Sequence, residues 1–296
     1  MKIAIIGSSS LLGEGFIHVS KKFNHQFIYT YFKKKNSPVN LFLDIRNSDK
    51  VMDFLEHTKP DIVINTAALT NPEKCAEKPE YAEQTNILGT QNLVKGCKKF
   101  DSHFIQISTE YVFDGKLGNY FEKDSANPIS LYGKTKLESE KVTMENNPEF
   151  CVSRTAMLFG WSKNKLNLAT CVINKLRNKQ KIKVISDQIV SPSYNDNVAE
   201  MLIEIAEKRL KGVFHVAGAS IVSRFEFAKS LAKIFELDDS LIEKILISDF
   251  EWKERRPLNG GLNVNKISRI LKTKPLTLEK SLLQMKNNET KMQIYT

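Results

Sequence analysis

Apolar residues in the first half of the chain fall into short, nearly continuous runs, separated by longer stretches with a helical period. "KIAIIG" (2–7), "QFIYTYF" (26–32), "VNLFLD" (39–44), "DIVINTAA" (61–68) and "HFIQIST" (103–109) are rich in Ile, Val, Phe and Tyr. Polar or turn residues bound them, so they read as strands. Leu11 to Lys22, Ser48 to His57 and Pro79 to Lys98 read as helices between them. Strands apolar on both faces and alternating with helices predict an α/β fold, a doubly wound parallel sheet covered on both sides. A helix around Tyr132 and a strand, "FCVSRTAML" (150–158), continue the pattern. Beyond it the rhythm loosens. "NLATCVINKLRN", "NDNVAEMLIEIAEKRL" and "SRFEFAKSLAKIFEL" read as helices, with "GVFHVAG" as a further strand. No low-complexity tether divides the halves. Residues 1–160 are therefore expected to carry the sheet, and 161–296 a smaller C-terminal lobe built onto it and interleaved with it.

The 296 residues suffice for one large domain or two modest ones. Net charge is +10, from 44 Lys plus Arg against 34 Asp plus Glu. The basic residues are scattered, and no stripe interleaves them with aromatics, so a solvated basic surface is expected and nucleic-acid binding is not. Such a surface attracts phosphorylated small molecules. No apolar run approaches the roughly 20 residues of a membrane helix. The run from Ile3 to Ile6 is too short for a signal-peptide core. A cytoplasmic protein is the expectation. Cys75, Cys97, Cys151 and Cys171 lie far apart, and the five histidines form no spaced cluster, so no metal site is assigned.

The first strand runs into Gly7-Ser8-Ser9-Ser10-Leu11-Leu12-Gly13. Gly7 and Gly13 take the outer positions of a glycine-rich turn, with Ser9, Ser10, Leu11 and Leu12 between, where backbone N–H groups and a helix N-terminus can hold a pyrophosphate. Ser10 stands where a middle glycine is usual, and a Gly/Ser turn can cap any helix. Its place after the first strand of a β/α alternation favours a dinucleotide site. The end of the second strand, "TYFKKKN", lacks the acid that holds a ribose 2′-hydroxyl in NAD sites. Lys33 and Lys34 can pair instead with a 2′-phosphate, which favours NADPH and leaves NADH open. Asp44, ending the third strand, is placed beside the adenine.

Tyr132 and Lys136 are four apart in "LYGKTKLESEK" and share a helix face. A free tyrosine has a pKa of about 10. A neighbouring ammonium is expected to lower it, so that Tyr132 can exchange a proton with a carbonyl oxygen. The same spacing arises by chance in a lysine-rich chain. "STEYVFDG" (108–115) follows the fifth strand, at the edge where open α/β sheets bind ligands, and puts Thr109 in reach of such a carbonyl. Asn86 falls within the apolar helix face of Ala82, Gly89, Leu93 and Cys97, either as a supporting site residue or as a satisfied core amide.

Taken together with "NTAALTNPEKCAEKPEYAEQTN", "SRTAMLFG", "SDQIVSPS" and "RPLNGGLN", these segments resemble the extended short-chain dehydrogenase/reductases. Within them the chain looks like the dTDP-4-dehydrorhamnose reductase family, from Met1 to about Lys266. The resemblance implies a Rossmann-like fold, Thr109, Tyr132 and Lys136 as the catalytic set, and a nucleotide-sugar substrate. It implies that Ser10, Leu11, Leu12, Asp44, Ile45, Ala67, Ala68 and Leu69 line the dinucleotide, and that Thr109 and Glu110 touch the sugar. Glu110 replaces a usual Asp. Met157 replaces a tryptophan expected on the sugar nucleotide, with Trp161 four residues on. Arg256 is placed either on the diphosphate or as a loop anchor. The chain also resembles the regulatory subunit of methionine adenosyltransferase, and a sugar-nucleotide epimerase stays open; so does a homodimer.

Overall fold

The structure, a computed structural model, describes residues 1–33, 38 and 41–289. In its first half the chain runs β1 (Lys2–Ile6), α1 (Leu11–Val19), β2 (Gln26–Tyr31), β3 (Leu41–Phe42), α2 (Ser48–Thr58) and β4 (Ile62–Asn65). It continues through α3 (Pro72–Glu77), α4 (Pro79–Glu83), α5 (Gly89–Lys99), β5 (His103–Thr109), α6 (Leu131–Asn146) and β6 (Cys151–Thr155). The second half adds β7 (Leu158–Phe159), α7 (Leu168–Arg177), β8 (Ile182–Ile185), β9 (Ile189–Val190), β10 (Ser193–Tyr194) and α8 (Asn195–Glu207). It ends with β11 (Gly212–His215), β12 (Val222–Ser223), α9 (Arg224–Ile234), β13 (Ile242–Ile245), α10 (Asn265–Ile270) and α11 (Leu278–Asn287).

Seven parallel strands form the central sheet in the order β11-β6-β5-β4-β1-β2-β3. The chain starts at β1, steps outward to β2 and β3, then returns to β4 and builds away on the other side. The sheet order therefore reverses between β1 and β4, where open α/β sheets leave a ligand crevice. Alternate residues serve opposite faces. Ile3, Ile5, Ile62 and Ile64 join one core with Leu12, Phe16 and Ile203, while Ala4, Ile6, Val63 and Phe104 join another with Val51, Leu55 and Leu93. Both faces are apolar, which is why these strands show no polar alternation.

The second half is partly sheet and partly lobe. Strand β11 pairs with β6, and α8 covers the sheet beside α1. The approach of those two helices is close: a Cβ at Gly15 would lie 2.6 Å from the Asn195 carbonyl oxygen. The lobe has its own core of Phe159, Val172, Ile173, Phe227, Leu231, Leu282 and Met285, drawn from α7, α9, α11 and their connections. Three two-stranded sheets brace it, β7 with β10, β9 with β12 and β8 with β13.

Element ends differ from the apolar pattern where local chemistry intervenes. The first helix stops at Val19 and tightens into a 3₁₀ turn, Ser20–Lys22, with the Ser20 hydroxyl on the Ile17 carbonyl. The helical stretch from Pro79 widens into a π segment, Gln84–Leu88, that carries Asn86. Of the expected strand at 39–44, residues 39 and 40 lie outside the described part. Strand 150–158 breaks after Thr155, and Leu158–Phe159 turn away to pair with β10 in the lobe.

Candidate active site

The reversal point holds a cleft lined by Gly7, Ser9, Ser10, Thr66, Ala67, Ala68, Leu69 and, further out, Asp44 and Ile45. Gly7 has φ +81°, and a Cβ there would sit 2.8 Å from Ala67 Cα, so only glycine keeps the turn open and the wall in place. Ser10 caps α1: its Oγ accepts the Gly13 N–H at 3.0 Å and lies 3.0 Å from Thr66 Oγ1. That cap function explains why serine serves where a glycine is usual. Gly13 lets the helix close on the turn, since a Cβ would lie 2.4 Å from Ser8 Cα. The side chains of Leu11 and Leu12 are buried, and the Leu11 carbonyl accepts from Asn195. These two can meet a ligand only through backbone. Asn86 stands behind the wall. Its Oδ1 takes the Leu69 N–H at 2.8 Å, and its Nδ2 donates to the Leu69 carbonyl and to Thr135 Oγ1. Its amide is satisfied there, as a core asparagine, and it lies outside the cleft lining.

At the outer end of the cleft Asp44 is held by Arg46, Oδ1 to Nε at 2.9 Å and Oδ2 to Nη2 at 2.6 Å. That pairing lowers the Asp44 carboxyl below its usual range. The Arg46 guanidinium carbon lies 5.0 Å from the Phe32 ring and 4.8 Å from the Tyr81 ring, and Lys33 Nζ is 5.6 Å from Tyr81. Lys34, predicted to join Lys33, lies outside the described residues. Arg46, Phe32 and Tyr81 were not foreseen. Arg46 follows Asp44 by two positions, but the two rings come from distant segments.

Thr109 ends strand β5, and α6, capped by Ser130 on the Gly133 N–H at 3.1 Å, carries Tyr132 and Lys136; none of the three is in the lining of the cleft. The Tyr132 ring meets Tyr111 edge-on with centroids 5.4 Å apart. The close fit depends on Gly133, where a Cβ would lie 2.2 Å from the Tyr111 carbonyl oxygen. Thr109 donates to Glu110 Oε2 at 2.7 Å and accepts the Tyr111 N–H at 3.3 Å. Lys136 Nζ donates to the Ile107 carbonyl at 2.5 Å. Electrostatically the pair departs from expectation. Burial, then the charge of Glu110, raises the Tyr132 phenol well above its usual range, with the Thr109 hydroxyl pulling weakly the other way. Burial lowers Lys136 to about 8, opposed by Glu140. The expected lowering by the ammonium is not found: the groups that act on the phenol are Glu110, Thr109, Tyr111 and Cys75, and the Lys136 Nζ is turned onto the Ile107 carbonyl.

On the lobe side Glu110 is buried, which raises its carboxyl, and it receives the Met157 N–H and the field of Arg224. Met157 thus reaches the site through its backbone. Trp161 does not replace the missing ring: its Nε1 donates to the Met285 carbonyl at 2.8 Å, and its indole packs on Phe235 in the lobe core. Arg256 stacks on Trp252, Cζ to centroid 3.8 Å, pairs with Glu73 at 3.4 Å, and leaves Nε buried without a hydrogen-bond partner. Arg224, also unforeseen, donates from Nε to Gln188 at 2.6 Å and shares the Tyr111 hydroxyl's surroundings with Arg256. Among the described residues no His, Cys, Asp and Glu group is arranged to hold a metal.

A parallel sheet with a glycine turn at its reversal point, and a second lobe built onto it, agrees with the class that the sequence resembles, the extended short-chain dehydrogenase/reductases. Comparison with known proteins narrows it. The RmlD substrate binding domain matches residues 1–290. A dTDP-4-dehydrorhamnose reductase of Aggregatibacter actinomycetemcomitans is 31% identical over 81% of this chain and 85% of its own. The methionine adenosyltransferase 2 subunit beta of Rattus norvegicus is 30% identical over 90% of this chain and 81% of its own. Among solved structures, a dTDP-4-dehydrorhamnose reductase from Clostridium acetobutylicum superposes with TM-score 0.86 at 30% identity, covering 97% of this chain and 99% of that one. A reductase of the same name from Bacillus anthracis, in complex with NADP, superposes with TM-score 0.87 at 23% identity, covering 97% and 99%. The chain belongs to the RmlD substrate binding domain family.

Proposed function

We propose that the protein is an NADPH-dependent reductase of the 4-keto group of a nucleotide-linked 6-deoxy sugar. The observation that carries the reading is the cleft at the sheet's reversal point, walled by the Gly7–Ser10 turn, with Tyr132 buried in the cluster that Leu69 of its lining packs against. The residues present fit the cofactor: Gly7 opens the turn, Ser10 fixes the helix start, and a Cβ at either outer glycine would close the cradle. A nicotinamide held in this cleft would supply the hydride, and the chain's own residues the proton. Tyr132 holds the proton that the developing alkoxide takes. Burial and a nearby carboxylate keep the phenol protonated at neutral pH; raised in this way it is a weak acid, and it gives up its proton only to a base as strong as a developing alkoxide. Thr109, whose hydroxyl rests on Glu110, turns to the sugar oxygen, leaving Glu110 to accept from a sugar hydroxyl. Arg256, with a buried unpaired Nε–H, meets the diphosphate.

The test is to mix the protein, NADPH and dTDP-4-keto-L-rhamnose and follow the loss of reduced-nicotinamide absorbance. Consumption that depends on the sugar supports the reading; a rate no higher than without sugar defeats it. Similarity to the adenosyltransferase subunit favours a second reading, a cofactor-binding regulatory subunit. A partner enzyme that co-purifies and changes its kinetics on binding would support that role.

A further inference from the structure

The geometry points to Arg46 as the residue that selects a 2′-phosphorylated dinucleotide. This inference deepens the proposed function and rests on its dinucleotide cleft.

The lysines after β2 are the obvious phosphate ligands by position, yet the outer end of the cleft is organised around Arg46. Asp44 is not free to take a ribose diol: Oδ1 accepts both the Arg46 Nε–H and the Arg46 backbone N–H, at 2.9 and 3.1 Å, and Oδ2 accepts Nη2 at 2.6 Å. Asp44, which follows the third strand and not the second, is thus occupied by its neighbour. A guanidinium carries five N–H donors in a planar fork. Pairing with Asp44 along one edge uses two of them, so three remain for a second anion. Phe32 and Tyr81, with centroids 5.0 and 4.8 Å from Cζ, hold the guanidinium in place. An arginine fixed in this way binds a phosphate bidentately with little further loss of freedom. Lys33 adds a second cation, 5.9 Å from Phe32 and 5.6 Å from Tyr81. Among the described residues there, Arg46 and Lys33 set two cations against the Asp44 carboxylate, which suits a phosphate monoester better than a neutral hydroxyl.

The test measures binding, not turnover. Isothermal titration of the full-length protein with adenosine 2′,5′-bisphosphate and with 5′-AMP gives an affinity ratio that reads the 2′-phosphate alone. The wild type should favour the bisphosphate by about tenfold to a hundredfold, the range for charge-assisted hydrogen bonds. Arg46→Met should bring the ratio to within about threefold. A ratio that survives this substitution overturns the assignment and passes it to the lysines. Should Arg46→Met not fold, Arg46→Lys decides, because it keeps the charge and loses the fork: a reduced ratio supports the inference and an unchanged one overturns it. Parallel titrations with NADPH and NADH separate the two levels. Equal binding of both defeats only the phosphate selection, whereas binding of neither defeats the reductase reading as well.

Discussion

Replacing Tyr132 with phenylalanine removes one oxygen and leaves the packing in place. The ring keeps its edge-on contact with Tyr111 at 5.4 Å. The Thr109 hydroxyl keeps Glu110 as acceptor at 2.7 Å, so no buried donor is orphaned. Stability should therefore change by no more than about 1 kcal/mol, the net worth of a single hydrogen bond. The rate should change far more. A positioned general acid contributes about 100- to 10,000-fold, or roughly 2.7–5.4 kcal/mol on the barrier at about 1.36 kcal/mol per decade. The assay is NADPH oxidation with the keto sugar under single-turnover conditions, alongside fluorescence titration of NADPH and urea unfolding. The expected result is a chemical step slowed by that factor, with the NADPH dissociation constant within about twofold. Chemistry within tenfold of the wild type would remove Tyr132 from proton transfer. A collapse of NADPH binding would show instead that the phenol holds the cofactor.

Arg154 on β6 and Glu140 on α6 form a buried ion pair at 2.7 Å, with the Ser108 hydroxyl on the same carboxylate. Arg154→Met should cost about 3–5 kcal/mol because it strands that charge, while Arg154→Met with Glu140→Met should recover most of the loss; urea unfolding of both decides, and a double variant as unstable as the single one refutes the explanation. Lys136 gives a pH signature. Its native pKa of about 8 lies below a lysine's ordinary 10.5, so the unfolded chain binds more protons between those values and stability rises across that window. The burial penalty is fully present below about pH 8. Relative to Lys136→Met, the wild type should gain about 3 kcal/mol between pH 8 and 10.5 in urea titrations; a flat difference counts against a desolvated ammonium.

Much of the sheet was legible because its strands are buried on both faces, and β5 runs over the same seven residues that its apolar run marks. Local turn chemistry was legible for the same reason that it is local: Gly7, Ser10, Thr109 and Tyr132 each sit in a short segment whose geometry they set. Helix α3 was not, since it is a polar turn and a half begun by the Asn71 cap and Pro72, with little apolar period to read. The two-residue strands of the lobe carry no pattern at all. Residues that work by converging were hidden too. Arg46 draws its aromatic neighbours from β2's end and from α4, and Arg224 meets Glu110 across the two halves of the chain. Side-chain direction decided the remaining cases: Trp161 turns into the lobe, and Asn86 turns onto Leu69.

The return of the chain to the sheet at α8 and β11 has a consequence for how such a protein can be cut or recombined. A break near residue 160 would strip β6 of its outer neighbour, and would strip α1, which begins at the Gly7–Ser10 turn, of the helix that presses against Gly15. The lobe is thus no detachable cassette. Exchanging it between relatives requires two grafted pieces, one on each side of the α8–β11 excursion, and a single crossover would disturb the glycine turn at the start of α1 as well.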